Sequence, residues 1–339
     1  MKFKHFYFVL KRHILVPVAE GNLGKPWHFL VAVIKRKLFG YPYMAVIETG
    51  NFCNLKCPTC PTPHNKITRT KDLMSLENFK KVVDNVKDSV YIALLYNTNE
   101  PFLNPDILKM AQYANKNNLY ASISTNAVLL NKQKTEEVLS SGLDEIIVCL
   151  DGTTKESYEQ FRVGANFELV LANIRNLCER KQALKLRKPF IELQFILNKF
   201  NQDEVESIKA LAKELQVDRL HIKPFALGEY IYSKEEIKNL TEKFFPDTEK
   251  YQSKVQLEKQ GDTLKMKTPP RICSLAKYQT VILVDGSLSM CCYDINGNYL
   301  YGNVLDKKLK DIWFSDEVKK KRAQAEKRGY PLCRGCCTY

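Results

Sequence analysis

From residue 44 to residue 225 the chain repeats one alternation: a short apolar, β-branched run, then a longer stretch in which apolar residues return every three or four positions. The runs predict strands at Met44–Thr49, Val90–Leu95, Leu119–Ser124, Glu145–Leu150, Ile191–Leu197 and Arg219–Lys223. The stretches between them have readable helix starts: Ser75 ahead of Phe79, Val82, Val83 and Val86, Asn104-Pro105 ahead of Ile107, and Asn166 ahead of Phe167, Val170, Leu171, Ile174 and Leu177. Strands separated by helices pair in parallel, because the crossover helix returns the chain to run the next strand in the same direction. Six such units are two short of a closed eight-stranded barrel and leave a lateral opening. The expected fold is α/β: a partial (β/α)6 TIM-like barrel followed by a small C-terminal cysteine-rich β-hairpin/helix domain.

By this reading residues 1–43 are a basic amphipathic N-terminal segment, 44–230 the barrel core, 231–267 a helical linker and 268–339 the cysteine-rich unit. In the last of these, Pro269-Pro270 precedes a hairpin signal, Thr280–Val284, Asp285-Gly286 and Ser287–Cys292, and a helix is expected from Ser315 toward Lys327. The longest apolar runs, such as Phe29–Ile34, fall far short of the roughly 20 residues that span a bilayer. No small-residue cleavage site follows the apolar stretch Phe6–Leu10. The expectation is a cytoplasmic protein.

Composition adds a globular core and a charge bias. Hydrophobic residues at 45% and charged residues at 27% exclude a disordered chain. The net charge of +14 favours anionic partners: nucleic acid, phospholipid headgroups, or acidic and phosphorylated substrates. The excess concentrates in residues 1–43, where Lys2, Lys4, Lys11, Arg12, Lys25, Lys35, Arg36 and Lys37 face one acid, Glu20, among Phe, Leu, Val and Trp27. Two readings follow. The segment is either an interfacial helix peripheral to the inner face of the membrane, or a helix packed on the barrel with a solvated basic face.

Nine of the eleven cysteines fall in two groups, Cys53, Cys57 and Cys60, and Cys273, Cys291, Cys292, Cys333, Cys336 and Cys337. In a reducing compartment such clusters argue for metal rather than disulfides. Cys149 and Cys178 lie inside apolar elements and read as small buried hydrophobes. The first group occupies the loop after the first strand, at the end where parallel barrels carry their chemistry. Three thiolates suit a [4Fe–4S] cluster with one iron left open, while His64 nearby would complete a tetrahedral zinc site instead.

The spacing Cys53-x3-Cys57-x2-Cys60, filled by Asn54-Leu55-Lys56 and followed through by Pro58, resembles the radical S-adenosylmethionine (SAM) superfamily. The resemblance covers residues 44–225. It implies that the open iron chelates SAM, that an electron from the cluster cleaves the sulfonium, and that the resulting 5′-deoxyadenosyl radical removes a substrate hydrogen. Asn97-Thr98-Asn99-Glu100-Pro101 stands where the family has Gly-Gly-Glu-Pro, with both glycines replaced, which implies Glu100 and Pro101 as anchors for the SAM amino group. Ser124-Thr125-Asn126 resembles the family's Thr-Asn-Gly, with Ala127 in place of Gly, and Cys149-Leu150-Asp151-Gly152 resembles Ser-x-Asp-Gly, with Cys149 in place of Ser. Arg162 matches an arginine suited to a carboxylate, and Asn198, His221 and Lys223 follow as pocket residues on the fifth and sixth strands. No catalytic side chain is assigned.

Cys273-x12-Gly286-x4-Cys291, joined by Cys333-x2-Cys336, is similar to the SPASM domain in its shortened, twitch-type form. That implies an auxiliary [4Fe–4S] cluster held by Cys273, Cys291, Cys333 and Cys336, with Cys292 and Cys337 as neighbours able to substitute. A zinc ribbon is the other reading of four thiolates. The implied enzyme is a radical SAM oxidoreductase, fed by a reductant such as flavodoxin or ferredoxin, that completes a net oxidation or cross-link. A small or lipid- or sugar-linked substrate is preferred to a peptide, because residues 1–43 are shorter than the recognition domain peptide maturases of this group carry. A zinc-containing nucleic-acid-binding protein is the alternative of another class. The prolines and single lysine of the Cys53–Cys60 loop do not suit it, so no specific nucleic-acid binding is expected.

Overall fold

The computed structural model describes residues 2–227, 230–248, 257–260, 263–266, 272–333 and 336. Pro269-Pro270 and Cys337 lie outside them. The chain opens with helices α1 (Lys2–Leu10), α2 (Val16–Ala19) and α3 (Gly24–Phe39), the first two joined by a π-helical turn. Strands β1 (Met44–Ile47), β2 (Ile92–Leu94), β3 (Tyr120–Thr125), β4 (Glu145–Cys149), β5 (Phe190–Leu197) and β6 (Arg219–Pro224) follow. They alternate with α4 (Leu76–Val86), α5 (Ile107–Lys116), α6 (Lys132–Ser140), α7 (Lys155–Phe161), α8 (Phe167–Ala183) and α9 (Val205–Glu214). After α10 (Lys234–Phe244) come the pair β7 (Leu257–Gln260) and β8 (Thr263–Met266), then β9 (Gln279–Ile282), β10 (Ser287–Ser289) and β11 (Leu300–Asn303).

All six expected barrel strands are present, parallel and in sequence order. The sheet does not stop at β1. Strand β9 pairs in parallel with β1 on the side away from β2, and β10 and β11 extend the edge antiparallel, giving the order β11-β10-β9-β1-β2-β3-β4-β5-β6. The cysteine-rich hairpin is thus fused to the barrel wall. Its turn requires Gly286, at φ +82°, because a Cβ there would sit 2.6 Å from Leu305 Cγ.

Helix starts follow the caps expected. Ser75 accepts from Asn78 N and Asn166 from Leu169 N, and Phe79, Val82, Val83 and Val86 of α4 are fully buried. Cys178 belongs to the same core. Asn104 stands ahead of α5, which begins at Ile107: its Oδ1 accepts from Asp106 N at 3.0 Å while its amide donates to the Thr49 and Met74 carbonyls. The linker holds the helix α10, closed by a Ser233–Glu236 capping box, and also the β7–β8 pair. No apolar alternation announces that pair.

Along each barrel strand one parity faces the helices and the other faces inward. Ala121, Ile123, Ile146, Val148, Leu193 and Phe195 join the helix-side core. The inward row is apolar on β1 and β2, with Val46, Ile92 and Leu94, and mostly polar from β3 to β6: Ser122 and Ser124, Glu145 and Cys149, Glu192 and Gln194, Arg219, His221 and Lys223, interrupted by Ile147 and Ile196.

Residues 1–43 close the floor of this wall, at the N-terminal ends of the strands. Arg12 pairs with Glu145 at 2.7 Å, donates to Tyr120 Oη at 2.9 Å and lies over the Tyr120 and Phe190 rings. Lys25, buried at α3's first turn, meets Asp144 at 2.5 and 2.6 Å. His13 stacks on Phe29, 5.1 Å between centroids, with a ring nitrogen 3.2 Å from Tyr91 Oη. The segment therefore packs on the barrel, as one of the two readings held, but with a difference. Two of its cations, Arg12 and Lys25, point inward to Glu145 at the start of β4 and to Asp144 just before it, and what faces outward is largely apolar.

Burial, with Arg12 and Lys25 adding to it, lowers the His13 pKa from 6.5 to about 3. The folded state therefore holds His13 neutral while the unfolded chain protonates it below about 6.5. Stability is intact above that pH and falls by about 1.4 kcal/mol per unit as the pH drops toward about 3. Denaturant titrations from pH 7 to 4 should show this slope, and His13→Gln should lose it.

Candidate functional site

The loop after β1 brings Cys53, Cys57 and Cys60 to one end of the barrel. It is shaped by a Cys60 N to Cys57 O bond of 3.1 Å and by Lys56 N donating to Val163 O at 2.8 Å. The three thiols line one open cavity of about 150 Å³ together with Tyr96, Asn97, Thr98, Asn99, Glu100, Ser124, Thr125, Asn126, Cys149 and Arg162. Four of the expected cofactor contacts, Glu100, Thr125, Asn126 and Arg162, thus meet around the three expected cluster ligands. Donors reach the sulfurs. Leu55 N lies 3.5 Å and Asn126 Nδ2 3.7 Å from Cys53 Sγ, and Arg162 Nη1 lies 3.9 Å from Cys57 Sγ. Burial pushes the Cys53 thiol up to about 11 and raises Cys57 as well, so both stay protonated unless a cation compensates.

Glu100 organises the far wall. Its carboxylate accepts from Thr125 Oγ1 at 2.7 Å, Asn126 N at 2.8 Å and Phe102 N at 3.2 Å, which fixes the turn after β3 against the segment after β2. Burial raises its pKa despite these donors. Ala127 in that turn is left-handed, φ 60°, at the position where the resemblance has glycine. The two replaced glycines do not fill the cavity. Thr98 Oγ1 donates to Glu48 at 2.5 Å and Asn99 Nδ2 to Thr49 Oγ1 at 3.0 Å, both back toward the end of β1.

Arg162 is fixed by Asp151, with Nε and Nη2 at 2.6 and 2.5 Å from one oxygen. Burial works against its charge, but Asp151 and the nearby thiols raise its pKa overall. Only Nη1 turns toward the thiols. Asp151 itself stands behind the cavity, tied to Ile196 N, and the adjoining Gly152 is required because a Cβ would lie 2.6 Å from Tyr158 N. Asn198 is not brought to the cavity: it is buried in its own turn, accepting from Phe200 N. Pro101 starts the buried turn after Glu100. Cys149 meets Ser124 Oγ at 3.6 Å and Gln194 Nε2 at 3.5 Å, and His221 lies 3.0 Å from Glu192.

Sequence reasoning passed over Tyr96, which continues the inward parity of Ile92 and Leu94, and Thr62, which carries no signal. It also passed over Glu48, a fully buried acid at the end of β1 paired with Arg69 at 2.9 Å. Arg69 Nε donates in turn to Ile295 O, so this clip ties the loop after Cys60 to the C-terminal unit.

A second, small cavity is ringed by Cys273, Cys291, Cys292, Cys333 and Cys336 with apolar neighbours. Arg328 Nη2 holds the Cys333 and Cys336 carbonyls at 3.1 and 2.7 Å, and its Nη1 is buried without a partner. An orphaned guanidinium N–H beside a ring of thiols fits an anionic cluster. Asn97 Nδ2, likewise unpartnered, fits a polar ligand in the first cavity. Among the described residues no three Cys, His, Asp or Glu side chains converge on a point for a single ion. His64, the spare zinc ligand, lies with Nε2 3.1 Å from the Cys57 carbonyl.

Residues 47–185 match the family model of the radical SAM superfamily, and residues 273–337 match that of SPASM, an iron–sulfur cluster-binding domain. Fe-coproporphyrin III synthase of Methanosarcina barkeri is 28% identical over 169 residues, 50% of this chain and 40% of that protein. PqqA peptide cyclase of Bradyrhizobium diazoefficiens is 22% identical over 184 residues, 54% and 47%. The chain thus spans about half the length of these curated relatives. GTP 3′,8-cyclase of Clostridium perfringens is 25% identical over 254 residues, 74% and 75%. In fold, Streptococcus suis SuiB bound to S-adenosylmethionine superposes with TM-score 0.61 at 17% identity, covering 90% of this chain and 73% of that one. BtrN in complex with AdoMet and 2-DOIA gives 0.54 at 15%, covering 88% and 93%.

Proposed function

Because the chain belongs to the radical SAM superfamily and carries a SPASM domain, we propose that it removes a hydrogen atom from a small or lipid- or sugar-linked substrate and completes a net oxidation or cross-link. Its cofactors are SAM, the [4Fe–4S] cluster that binds SAM, and an auxiliary iron–sulfur cluster. When bound, they supply one-electron cleavage of the sulfonium, a 5′-deoxyadenosyl radical that takes the substrate hydrogen, and an acceptor for the substrate's second electron. Cys53, Cys57 and Cys60 would hold the first cluster and Cys273, Cys291, Cys333 and Cys336 the auxiliary one. Glu100, Thr125 and Asn126 form the wall that would receive SAM, and Arg162 keeps a guanidinium N–H on the thiol side of the cavity.

The observation that carries the oxidative reading is the position of Cys292. This member of the second thiol ring packs against Val46, Val281 and Leu283, inward residues of β1 and β9 and of the turn after β9. The second ring thus abuts the barrel's interior wall, which supports its use as the acceptor for the substrate's second electron. The substrate preference draws support from the polar inward positions of β3 to β6. A peptide substrate is the second reading, favoured by the likeness to the PqqA peptide cyclases. The partners in this proposal are a reductant such as flavodoxin or ferredoxin and, through the outer face of residues 1–43, a membrane. Among the described residues no helix is long and apolar enough to cross one.

Cys291→Ala combined with Cys292→Ala, which removes the neighbouring thiol able to substitute, tests the oxidative half. The variant should still form 5′-deoxyadenosine with dithionite and SAM but yield no oxidised product from candidate substrates. Full product formation would refute a redox role for the second ring.

A further inference from the structure

The outer face of the floor helices is unusually apolar for a surface. Ten of the seventeen exposed large hydrophobic residues among those described fall between Phe6 and Phe39. On α3, Leu23, Trp27, Leu30, Ile34 and Leu38 recur at helical spacing on one stripe, Trp27 70% and Leu38 71% exposed. Such a patch marks an interaction surface. Its charge surroundings identify the partner. At the C-terminal end of α3 lies a cleft of about 440 Å³ lined by Arg36, Lys37, Lys277 and Arg322. The acid in that cleft, Glu326, is paired with Lys277 at 2.8 Å, and Arg322 Nε is buried without a partner. Arg36 lies flat over Tyr278, 4.4 Å from the ring centroid, which holds its guanidinium at the cleft mouth.

We infer that the α3 stripe inserts into the surface of an anionic bilayer while the Arg36, Lys37, Lys277 and Arg322 cleft receives lipid phosphate. Apolar side chains entering the acyl boundary beside cations at headgroup level are the arrangement of an interfacial helix. This deepens the membrane contact proposed above and is independent of the radical chemistry. The face lies at the N-terminal ends of the strands, opposite the thiols. Docking therefore anchors the enzyme with its mouth turned away from the bilayer, which, within the proposed substrate classes, favours a small water-borne substrate over a lipid-linked one.

The chain carries its own probe, since Trp27 is exposed and the other tryptophan, Trp313, is 1% exposed. Full-length protein is titrated with phosphatidylcholine vesicles, with and without phosphatidylglycerol, and followed by co-sedimentation and tryptophan emission. Binding with a blue shift, strong for anionic vesicles and weakened by salt, is expected. Arg36→Glu with Lys37→Glu should bind at least about 30-fold more weakly, at roughly fivefold per lost cation. Ile34→Glu with Leu38→Glu should abolish the shift. Formation of 5′-deoxyadenosine in both variants reports that they fold, and keeps failure of docking separate from failure of the chemistry. No binding, equal binding to neutral vesicles, or a blue shift that grows with protein concentration alone and tracks a dimer in sedimentation equilibrium would each overturn the inference.

Discussion

Replacing Cys57 by alanine is expected to bring 5′-deoxyadenosine formation to background and to lower the iron content from about eight to about four atoms per chain. Cys57 is the most buried of the three thiols after β1 and the one approached by the Arg162 guanidinium. Two remaining thiols leave two irons of a cubane without protein ligands, and such a cluster does not survive reconstitution. The second ring is untouched, because its thiols are set by the β9–β10 hairpin, the Cys273 N to Glu326 O bond and the Arg328 clamp on the Cys333–Cys336 loop. Cys178→Ala is the control: that thiol is buried in α8 among apolar side chains, and its loss should cost about 1 kcal/mol of stability and no iron. Iron and sulfide counts with product chromatography read both variants. Retained SAM cleavage in Cys57→Ala would contradict the assignment of the site.

The largest expected effect on stability comes from Lys25→Ala. Lys25 is 1% exposed, and burial lowers its pKa, yet Asp144 at 2.5 Å keeps the pair together under α3. Removing the ammonium leaves a buried carboxylate whose remaining donors are Ala121 N at 2.9 Å, a long contact from Asn115, and Lys188 at 4.0 Å. Breaking a buried pair from one side costs about 3–5 kcal/mol, which corresponds to roughly 10 °C in melting temperature. Removing both charges together, as Lys25→Met with Asp144→Asn, should recover much of the loss, since no unpaired charge is then left. Calorimetry of the two variants decides it. A loss under about 1 kcal/mol for Lys25→Ala would mean that Lys188 takes over the pairing.

Much of this was legible in the chain. The six parallel strands stand out because Val, Ile and Leu runs covered by helices on one side are nearly continuous, and Ser75 and Asn166 announce their helices through the caps they make. The thiols were legible because ligand spacing is local. What stayed hidden depends on distant partners. Arg12 and Lys25 read as solvated cations, since nothing near them in sequence points to Glu145 and Asp144, more than a hundred residues away. The pairing of β9 with β1 joins segments over two hundred residues apart, so the hairpin read as a separate unit although it completes the barrel wall. Thr98 and Asn99 could not be placed by type, because their side chains answer to Glu48 and Thr49 rather than to their own segment. Asn198 carries the right polarity for a pocket, but the turn after β5 consumes it locally.

The open coordination position beside Cys53, Cys57 and Cys60 is the premise on which the rest depends, and Mössbauer spectroscopy of protein reconstituted with 57Fe reads it directly. Adding SAM should change the signal of about one iron in eight, the iron that lacks a cysteine ligand, and leave the others as they were. A spectrum indifferent to SAM, or a preparation that takes up zinc and no sulfide, would contradict it.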